Sequence, residues 1–282
     1  MITVSIVAYN TPDDELARCL ASLDSPLVAR VYIVDNSRND ATRRLCQRYP
    51  SVEYIPSDNV GYGAGHNTAI RRIADPAVDY HLVLNSDVYF QPDILATLAD
   101  YMDANPDVGQ LQPDIVYPDG SRQYTCRLLP WPLVLFGRRF LPKSLIRKAD
   151  DRYTLRFADH SREMNIPYHQ GSFMLFRLIS FREAGGFDER FFMYPEDIDI
   201  TRRIHRRWRT MFVPLATVVH AHRAASYKSP RMLAIHLVNM TRYFNKWGWI
   251  FDRERRQWNS DLLRQLGYYD KRNSRKKCDK KA

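Results

Sequence analysis

Residues 1–36, MITVSIVAYNTPDDELARCLASLDSPLVARVYIVDN, read as strand, helix, strand. Thr3 to Ala8 is a short apolar run rich in β-branched residues, and Val31 to Val34 is a second. Between them, Thr11-Pro12 marks a helix start and Asp13 to Leu23 continues with helical patterning. The alternation persists to residue 120, with strands at Val52 to Ile55 and Tyr80 to Leu84 and helices at Ala41 to Arg48 and Ala64 to Ile73. The order βαβαβαβ predicts an α/β fold, a mostly parallel sheet covered by helices. Such sheets bind ligands beyond the carboxyl ends of their strands, which directs attention to the residue after each strand. Those residues are polar each time: Tyr9 and Asn10, Asp35 and Asn36, Asp58 and Asn59, Asn85 and Asp87.

Residues 171–226 read as a second half, with GSFMLFRL, Thr210 to Val213 and Thr217 to Val219 as strands around an acidic helix. From Ser229 the pattern is helical. Leu233, Leu237, Met240 and Phe244 are spaced for one buried face, and Trp258, Leu262, Leu263 and Leu266 for another. The chain after Gly267 is polar and charged, which predicts a mobile end.

With 282 residues and 45% hydrophobic side chains, the chain has enough material for a proper core. Cys19, Cys46, Cys126 and Cys278 are far apart and form no CxxC pair, which argues against a zinc site or a disulfide framework and fits a reducing cytoplasm. No basic leader precedes the first apolar run, and no run approaches the ~20 apolar residues of a membrane span. The net charge of +10 is uneven. Residues 271–282 are a basic tail, and residues 120–148 carry Arg122, Arg127, Arg138, Arg139, Lys143, Arg147 and Lys148 without an acidic side chain. The second segment encloses LLPWPLVLF, so it combines cations for anionic headgroups with an indole and aliphatics for the interface. A loop covering the core is the plainer reading. The charges follow no nucleic-acid-binding module, so a nucleic-acid partner is not expected.

Four segments carry candidate chemistry. In GGFDERFFMYPEDIDITRR, residues 185–203, Glu196, Asp197 and Asp199 sit beside Phe191, Phe192, Met193 and Tyr194. A carboxylate against apolar walls has a raised pKa and makes a useful general base. The alternative is an acidic first turn that suits the helix dipole, with Arg202 and Arg203 as salt-bridge partners. The glycine-rich NVGYGAGHN, residues 59–67, enters a helix and could offer backbone amides to an anion. Its glycines do not give the GxGxxG spacing of a dinucleotide fingerprint, and a tight turn with close packing is its structural reading. Asp87, directly after YHLVLN, is placed to reach a divalent cation such as Mg2+ or Mn2+, or to cap a turn. His220 and His222 share one side if their strand continues.

The segments SIVAYN, VDNS, NVGYGAGHN, LNSDV, GGFDERFFMYPEDIDITRR and VVHAHRAAS, in this order, resemble glycosyltransferase family 2 with a GT-A fold, over about residues 2–250. The subgroup most resembled is the rhamnosyl- and galactofuranosyltransferase-like enzymes of bacterial surface polysaccharide assembly. The resemblance implies a catalytic domain over 1–228, with a nucleotide-binding half (1–120) and an acceptor-binding and catalytic half (121–228). A helical extension (229–267) and a basic tail (268–282) follow. It implies Tyr9 and Asp35 as base and ribose contacts, with Asn59, Gly61 and Asn67 along the ribose and diphosphate. The family's DxD motif stands here as Asn85-Ser86-Asp87, so Asp87 takes the metal and Asn85 and Ser86 belong to the nucleotide site. Asp197 matches the catalytic base, Glu196 its neighbour, and His220 the second metal ligand.

The implied reaction is inverting transfer of a sugar from a UDP- or dTDP-sugar, dTDP-rhamnose among them, to a hydroxyl of a glycan or polyprenyl-diphosphate-linked acceptor. The implied cofactor is Mg2+ or Mn2+, and the implied place is the cytoplasm or the inner face of the plasma membrane. Two other readings use the same residues: a sugar-nucleotide-binding protein without turnover, suggested by Asn85, and a nucleotidyltransferase. The second is disfavoured by AYNTPDDE, where a glycine-rich basic loop would be expected.

Overall fold

The computed structural model describes residues 1–37, 40–221 and 230–269. The first stretch of chain runs β1 (Ile2–Ala8), α1 (Asp13–Ala21), β2 (Val28–Asp35), α2 (Ala41–Cys46), β3 (Val52–Pro56), α3 (Tyr62–Ile70), β4 (Tyr80–Leu84), β5 (Val88–Tyr89), α4 (Ile94–Ala104) and β6 (Val108–Val116). The second runs β7 (Cys126–Arg127), α5 (Pro132–Phe140), α6 (Lys143–Tyr153), β8 (Met164–Asn165), β9 (Tyr168–His169), β10 (Phe173–Arg177), α7 (Leu178–Glu183), α8 (Glu196–His205) and β11 (Arg209–His220). Helices α9 (Pro230–Trp247) and α10 (Arg253–Gln265) complete it.

Among the described residues one nine-stranded sheet has the order β3-β2-β1-β4-β10-β6-β11-β5, with β8 also paired to β11. Strands β1, β2, β3, β4, β6 and β11 run one way, and β10, β5 and β8 run against them. The sheet is therefore the expected mixed α/β type, mostly parallel. Strand β10 lies between β4 and β6, so the two halves of the chain are interleaved in one sheet.

Alternation along β1 sorts its side chains. Ile2, Val4, Ile6 and Ala8 enter the core beneath α1, α2 and α4. Thr3 and Ser5 face the other way and are buried too. Ser5 Oγ lies 2.7 Å from His66 Nδ1 and 2.8 Å from His81 Nε2, and Thr3 Oγ1 lies 2.9 Å from His81 Nδ1. Burial drives both imidazoles toward the neutral form, His81 down to about 3. A third core joins α5, α6, β7 and β9 to α9 and α10. There Asn259 closes a reciprocal amide pair with the backbone of Leu129, its Oδ1 accepting and its Nδ2 donating at 2.8 Å.

Four elements differ from the sequence reading. Thr210 to Val213 and Thr217 to Val219 are one strand, β11, with its register shifted between Phe212 and Thr217. Pro214, which has no N–H for the ladder, sits in the shift. Strand β6 escaped notice because VGQLQPDIV interleaves glutamines with apolar residues, yet Gln110 and Gln112 are fully buried and hydrogen-bonded. Helix α3 starts at Tyr62, earlier than Ala64, and that brings a tyrosine into its first turn. In α9, Met240 and Phe244 are buried as expected, and Asn239 and Tyr243 complete the stripe in place of the half-buried Leu233 and Leu237. Cys19, Cys46 and Cys126 are free and buried thiols, and Cys278 lies outside the described residues.

Candidate active site

Because β1, β4 and β11 point the same way, their carboxyl ends open onto one cleft of about 850 Å³. Its walls include Tyr9 and Asn10 after β1, Asn85, Ser86 and Asp87 after β4, and His220 at the end of β11. The chain turns back at Asp87 into β5, where Val88 pairs with His220. The N–H of Ala221 donates to the Asp87 carbonyl at 2.9 Å. This hairpin-like pairing brings residues 133 positions apart in sequence into contact, with His220 Nε2 3.3 Å from Asp87 Oδ1.

Gln123 fixes the imidazole from behind. Its Nε2 donates to the His220 carbonyl at 2.7 Å, which leaves Oε1 against His220 Nδ1 at 2.9 Å. An amide oxygen only accepts, so Nδ1 carries a proton toward Gln123, and the other ring nitrogen, Nε2, is the one that faces Asp87. An imidazole nitrogen and a carboxylate oxygen brought this close are a donor set for a divalent cation, and the Gln123 amide behind the ring fixes its orientation. Among the described residues no cluster of three or more His, Cys, Asp or Glu forms a closed metal cage. Magnesium and manganese suit such an open pair, since they take remaining ligands from water and substrate phosphates. His222 lies outside the described residues.

Helix α8 presents Glu196 and Asp197 to the same cleft. Asp197 is only 8% exposed, and its two oxygens accept from the N–H groups of Ile198 (2.7 Å) and Gly171 (3.0 Å). Burial pushes its carboxyl up to about 7, against the lowering effect of the Ile198 amide, Arg127 and the Gly171 amide. Glu196 is pushed well up by burial first and then by Asp197. Asp199 turns the other way, to Arg203, Lys246 and Trp247. The helix divides its carboxylates: Glu196 and Asp197 line the cleft, while Asp199 pairs with Arg203 and anchors α9, and Arg202 pairs with Asp252 and Glu254 instead.

The other expected contacts divide. Tyr9 is 59% exposed at the cleft mouth. Asn85 gives its Oδ1 to the Tyr62 hydroxyl (2.8 Å), and Ser86 donates to Glu15 (3.3 Å). Asp35, Asn59, Gly61 and Asn67 do not line the cleft. Asp35 is buried and accepts from Ser37 N–H and Tyr54 Oη, while Ser37 Oγ in turn holds the N–H of Asn10. Asn67 clamps Phe187 and Glu189. Gly61, at φ +105°, packs so closely on Phe192 that a Cβ would stand 2.5 Å from its carbonyl oxygen. The amide of Tyr62 donates to that same carbonyl, so the glycine-rich helix contributes the Tyr62 side chain to the cleft and spends its first amide elsewhere. Tyr62, Gln123 and Arg127 escaped the sequence reading. Each meets its partners at the cleft from far away in the chain.

A model of glycosyl transferase family 2 matches residues 3–185. The chain belongs to glycosyltransferase family 2. This family 2 chain is 33% identical over 244 residues to an N-acetylglucosaminyl-diphospho-decaprenol L-rhamnosyltransferase of Mycobacterium tuberculosis, covering 80% of this chain and 77% of the relative. It is 26% identical to rhamnosyltransferase WbbL of Escherichia coli, covering 86% and 92%. Among solved structures, TarS 1–349 of S. aureus in complex with UDP-GlcNAc superposes with a TM-score of 0.58 at 16% identity, covering 95% of this chain and 73% of that one. Mannosyltransferase PcManGT of Pyrobaculum calidifontis, with GDP-Man and Mn2+, gives 0.56 at 19%, covering 86% and 64%. These likenesses show the GT-A fold for the family 2 chain.

Proposed function

We propose that the protein is a metal-dependent inverting glycosyltransferase that moves a sugar, rhamnose by likeness to its relatives, from a nucleotide-diphosphate donor to a hydroxyl of a lipid-linked glycan. The observation that carries this reading is Asp197, a buried carboxylate with its pKa near 7, in the same cleft as the Asp87–His220 pair. Asp197 takes the proton of the acceptor hydroxyl as its oxygen bonds to the anomeric carbon. The bond from that carbon to the diphosphate breaks on the opposite face, which inverts the centre. Glu196, pushed strongly toward its protonated form, does not supply a second nucleophilic carboxylate.

Asp87 and His220 would hold the divalent cation, which when bound supplies charge neutralisation for the departing diphosphate. Tyr62, kept protonated by burial, has its hydroxyl 2.8 Å from Asn85 Oδ1 and 2.7 Å from the Gly171 carbonyl, so its one proton lies between them and braces the donor loop against the loop that holds Asp197. Tyr9 lies at the base end of the donor site. Asp35 acts there by fixing the Ser37–Asn10 turn, and Asn59, Gly61 and Asn67 by shaping the loops behind it.

No helix among the described residues is long and apolar enough to cross a membrane. Contact with a lipid-borne acceptor would fall to the surface of α5 and α6, where Leu133 is 86% and Leu145 74% exposed near the exposed Arg147 and Lys148. Phe136 stacks on Trp249 at 6.2 Å, which sets the 85% exposed Phe251 on the same lobe. Basic and apolar side chains so mixed suit an anionic interface.

Isothermal titration with UDP, dTDP, GDP and CDP, each with and without Mn2+, tests the reading. Metal-dependent binding of one nucleotide supports it and names the donor class; binding of none overturns it. Flotation with anionic liposomes, and its absence with neutral ones, tests the membrane contact separately.

A further inference from the structure

The cleft holds two arginines, Arg127 and Arg138, to which the transfer chemistry above gives no ligand, although the charge of Arg127 bears on Asp197. Arg127, on β7, pairs across to Tyr168 on β9 and lies beside Gln170. Its Nη1 donates to Tyr168 Oη at 3.1 Å and its Nη2 to Gln170 Oε1 at 3.4 Å, which commits two of the five N–H groups of a guanidinium. Arg138 reaches the cleft from α5. Its Nε is 2.9 Å from Asp150, its side chain is 29% exposed, and among the described residues its terminal nitrogens make no hydrogen bond. Tyr153 stands between the two, with its ring 5.2 Å beneath the Arg138 guanidinium and its hydroxyl in the field of Arg127.

The contacts have an order. Asp87 follows Asn85, which bonds Tyr62; Tyr62 bonds the Gly171 carbonyl, and the Gly171 amide bonds Asp197. Gln170, the residue before, bonds Arg127, and Tyr153 and Arg138 follow. The donor's diphosphate belongs at the Asp87 end, so Asp197 stands between that anion and two under-used guanidiniums. Planar guanidiniums with spare donors suit phosphate oxygens. Helix α5, which supplies Arg138, also exposes Leu133 and Phe140, so an apolar surface begins where the cationic wall ends.

We propose that Arg127 and Arg138 form a second anion subsite, which takes the phosphate joining the acceptor's first sugar to its lipid. This rests on the proposed function above. Because Arg127 is one residue's contact away from the loop that holds Asp197, the reacting hydroxyl and the phosphate belong to the same sugar. The acceptor is then a lipid-linked monosaccharide, and a longer oligosaccharide would place its phosphate beyond the arginines.

The test uses the full chain saturated with its nucleoside diphosphate and Mn2+, so that the donor's phosphate site is filled. Geranyl diphosphate, inorganic pyrophosphate and geranyl glucoside are then titrated. Geranyl diphosphate is expected to bind at least about tenfold more tightly than either of the others. Arg138→Gln weakens it about tenfold and leaves nucleotide affinity unchanged, while Arg127→Lys, which keeps the charge and loses the fork, weakens it less than Arg127→Gln. In turnover, Arg138→Gln raises the acceptor KM and leaves the donor KM alone. Unchanged affinity in the Arg138 variant, or parallel loss of nucleotide binding, overturns the subsite. Pyrophosphate binding as tightly as geranyl diphosphate makes it a free-phosphate site and overturns the lipid assignment. Failure of the nucleotide to bind in the first place is a failure of the transferase reading, and it is read before any prenyl probe is added.

Discussion

Arg202 and Asp252 form a fully buried, bidentate ion pair, with Nη1 and Nη2 of the arginine 2.7 and 2.6 Å from the two carboxylate oxygens. Arg202 lies on α8, five positions after Asp197, and its guanidinium covers the Trp247 ring at 4.0 Å. Asp252 caps α10 by accepting the N–H of Arg255. One side of α8 thus holds the cleft's carboxylates, and another is bolted to the C-terminal helices.

Removing Asp252 leaves the buried Arg202 with only the partly exposed Glu254 and takes the cap from α10. Asp252→Ala is expected to destabilise the protein by about 3–5 kcal/mol, and the double variant Arg202→Met, Asp252→Leu by much less. Urea unfolding of the three variants checks this. Equal losses for the single and double variants would show that packing, and not charge pairing, sets the cost.

Asp197→Asn is expected to abolish transfer with nucleotide affinity unchanged. In the wild type, kcat/KM for the acceptor should rise with pH through about 7, as the carboxyl ionises. The linkage has the opposite sign for stability. A raised folded pKa means the contribution is fully present below the unfolded value of about 3.9 and is lost as pH rises through about 7. Asp197→Asn should therefore gain in stability relative to the wild type between pH 5 and 8. A constant difference over that range would mean that Asp197 ionises normally.

Asp87→Ala should remove the effect of Mn2+ on nucleotide affinity. Gln123→Leu, at a residue whose amide is committed to His220, should weaken Mn2+ binding by about 10–100-fold through the freed imidazole. Titration of Mn2+ at saturating nucleotide reads both effects. Wild-type metal affinity in the Gln123 variant would remove the positioning role assigned to it.

His81 binds no proton in the folded state until about pH 3 and takes one near 6.5 when unfolded. Its contribution is present above about 6.5 and is lost as pH falls toward 3, at about 1.4 kcal/mol per pH unit. His81→Gln cannot titrate. Its stability should fall less steeply than the wild type's below pH 6, measured by denaturant unfolding at pH 7 and 5. Parallel slopes would sink the assignment of a neutral buried His81.

The sequence by itself determined the alternating βα order, the cleft edge of the sheet, and the family. Short-range patterning controls all three, and polar residues placed directly after apolar strands need no knowledge of the fold. It also identified Asp87, Asp197 and His220 as residues to watch. Only the tertiary structure decided their company. Gln123 matters because it meets His220 97 positions away, and Tyr62 because it reaches Gly171 109 positions away. Side-chain hydrogen bonds between segments brought together by topology leave no periodic trace in the chain. Asn67 and Asp35, legible as polar residues in the right loops, proved committed to backbone and tyrosine partners, because a buried amide or carboxylate must satisfy its own hydrogen bonds before it can serve a ligand. The acidic helix teaches the same lesson: its sequence announces carboxylates, and the packing of α9 and α10 sorts Asp197 into the cleft and Asp199 into the frame.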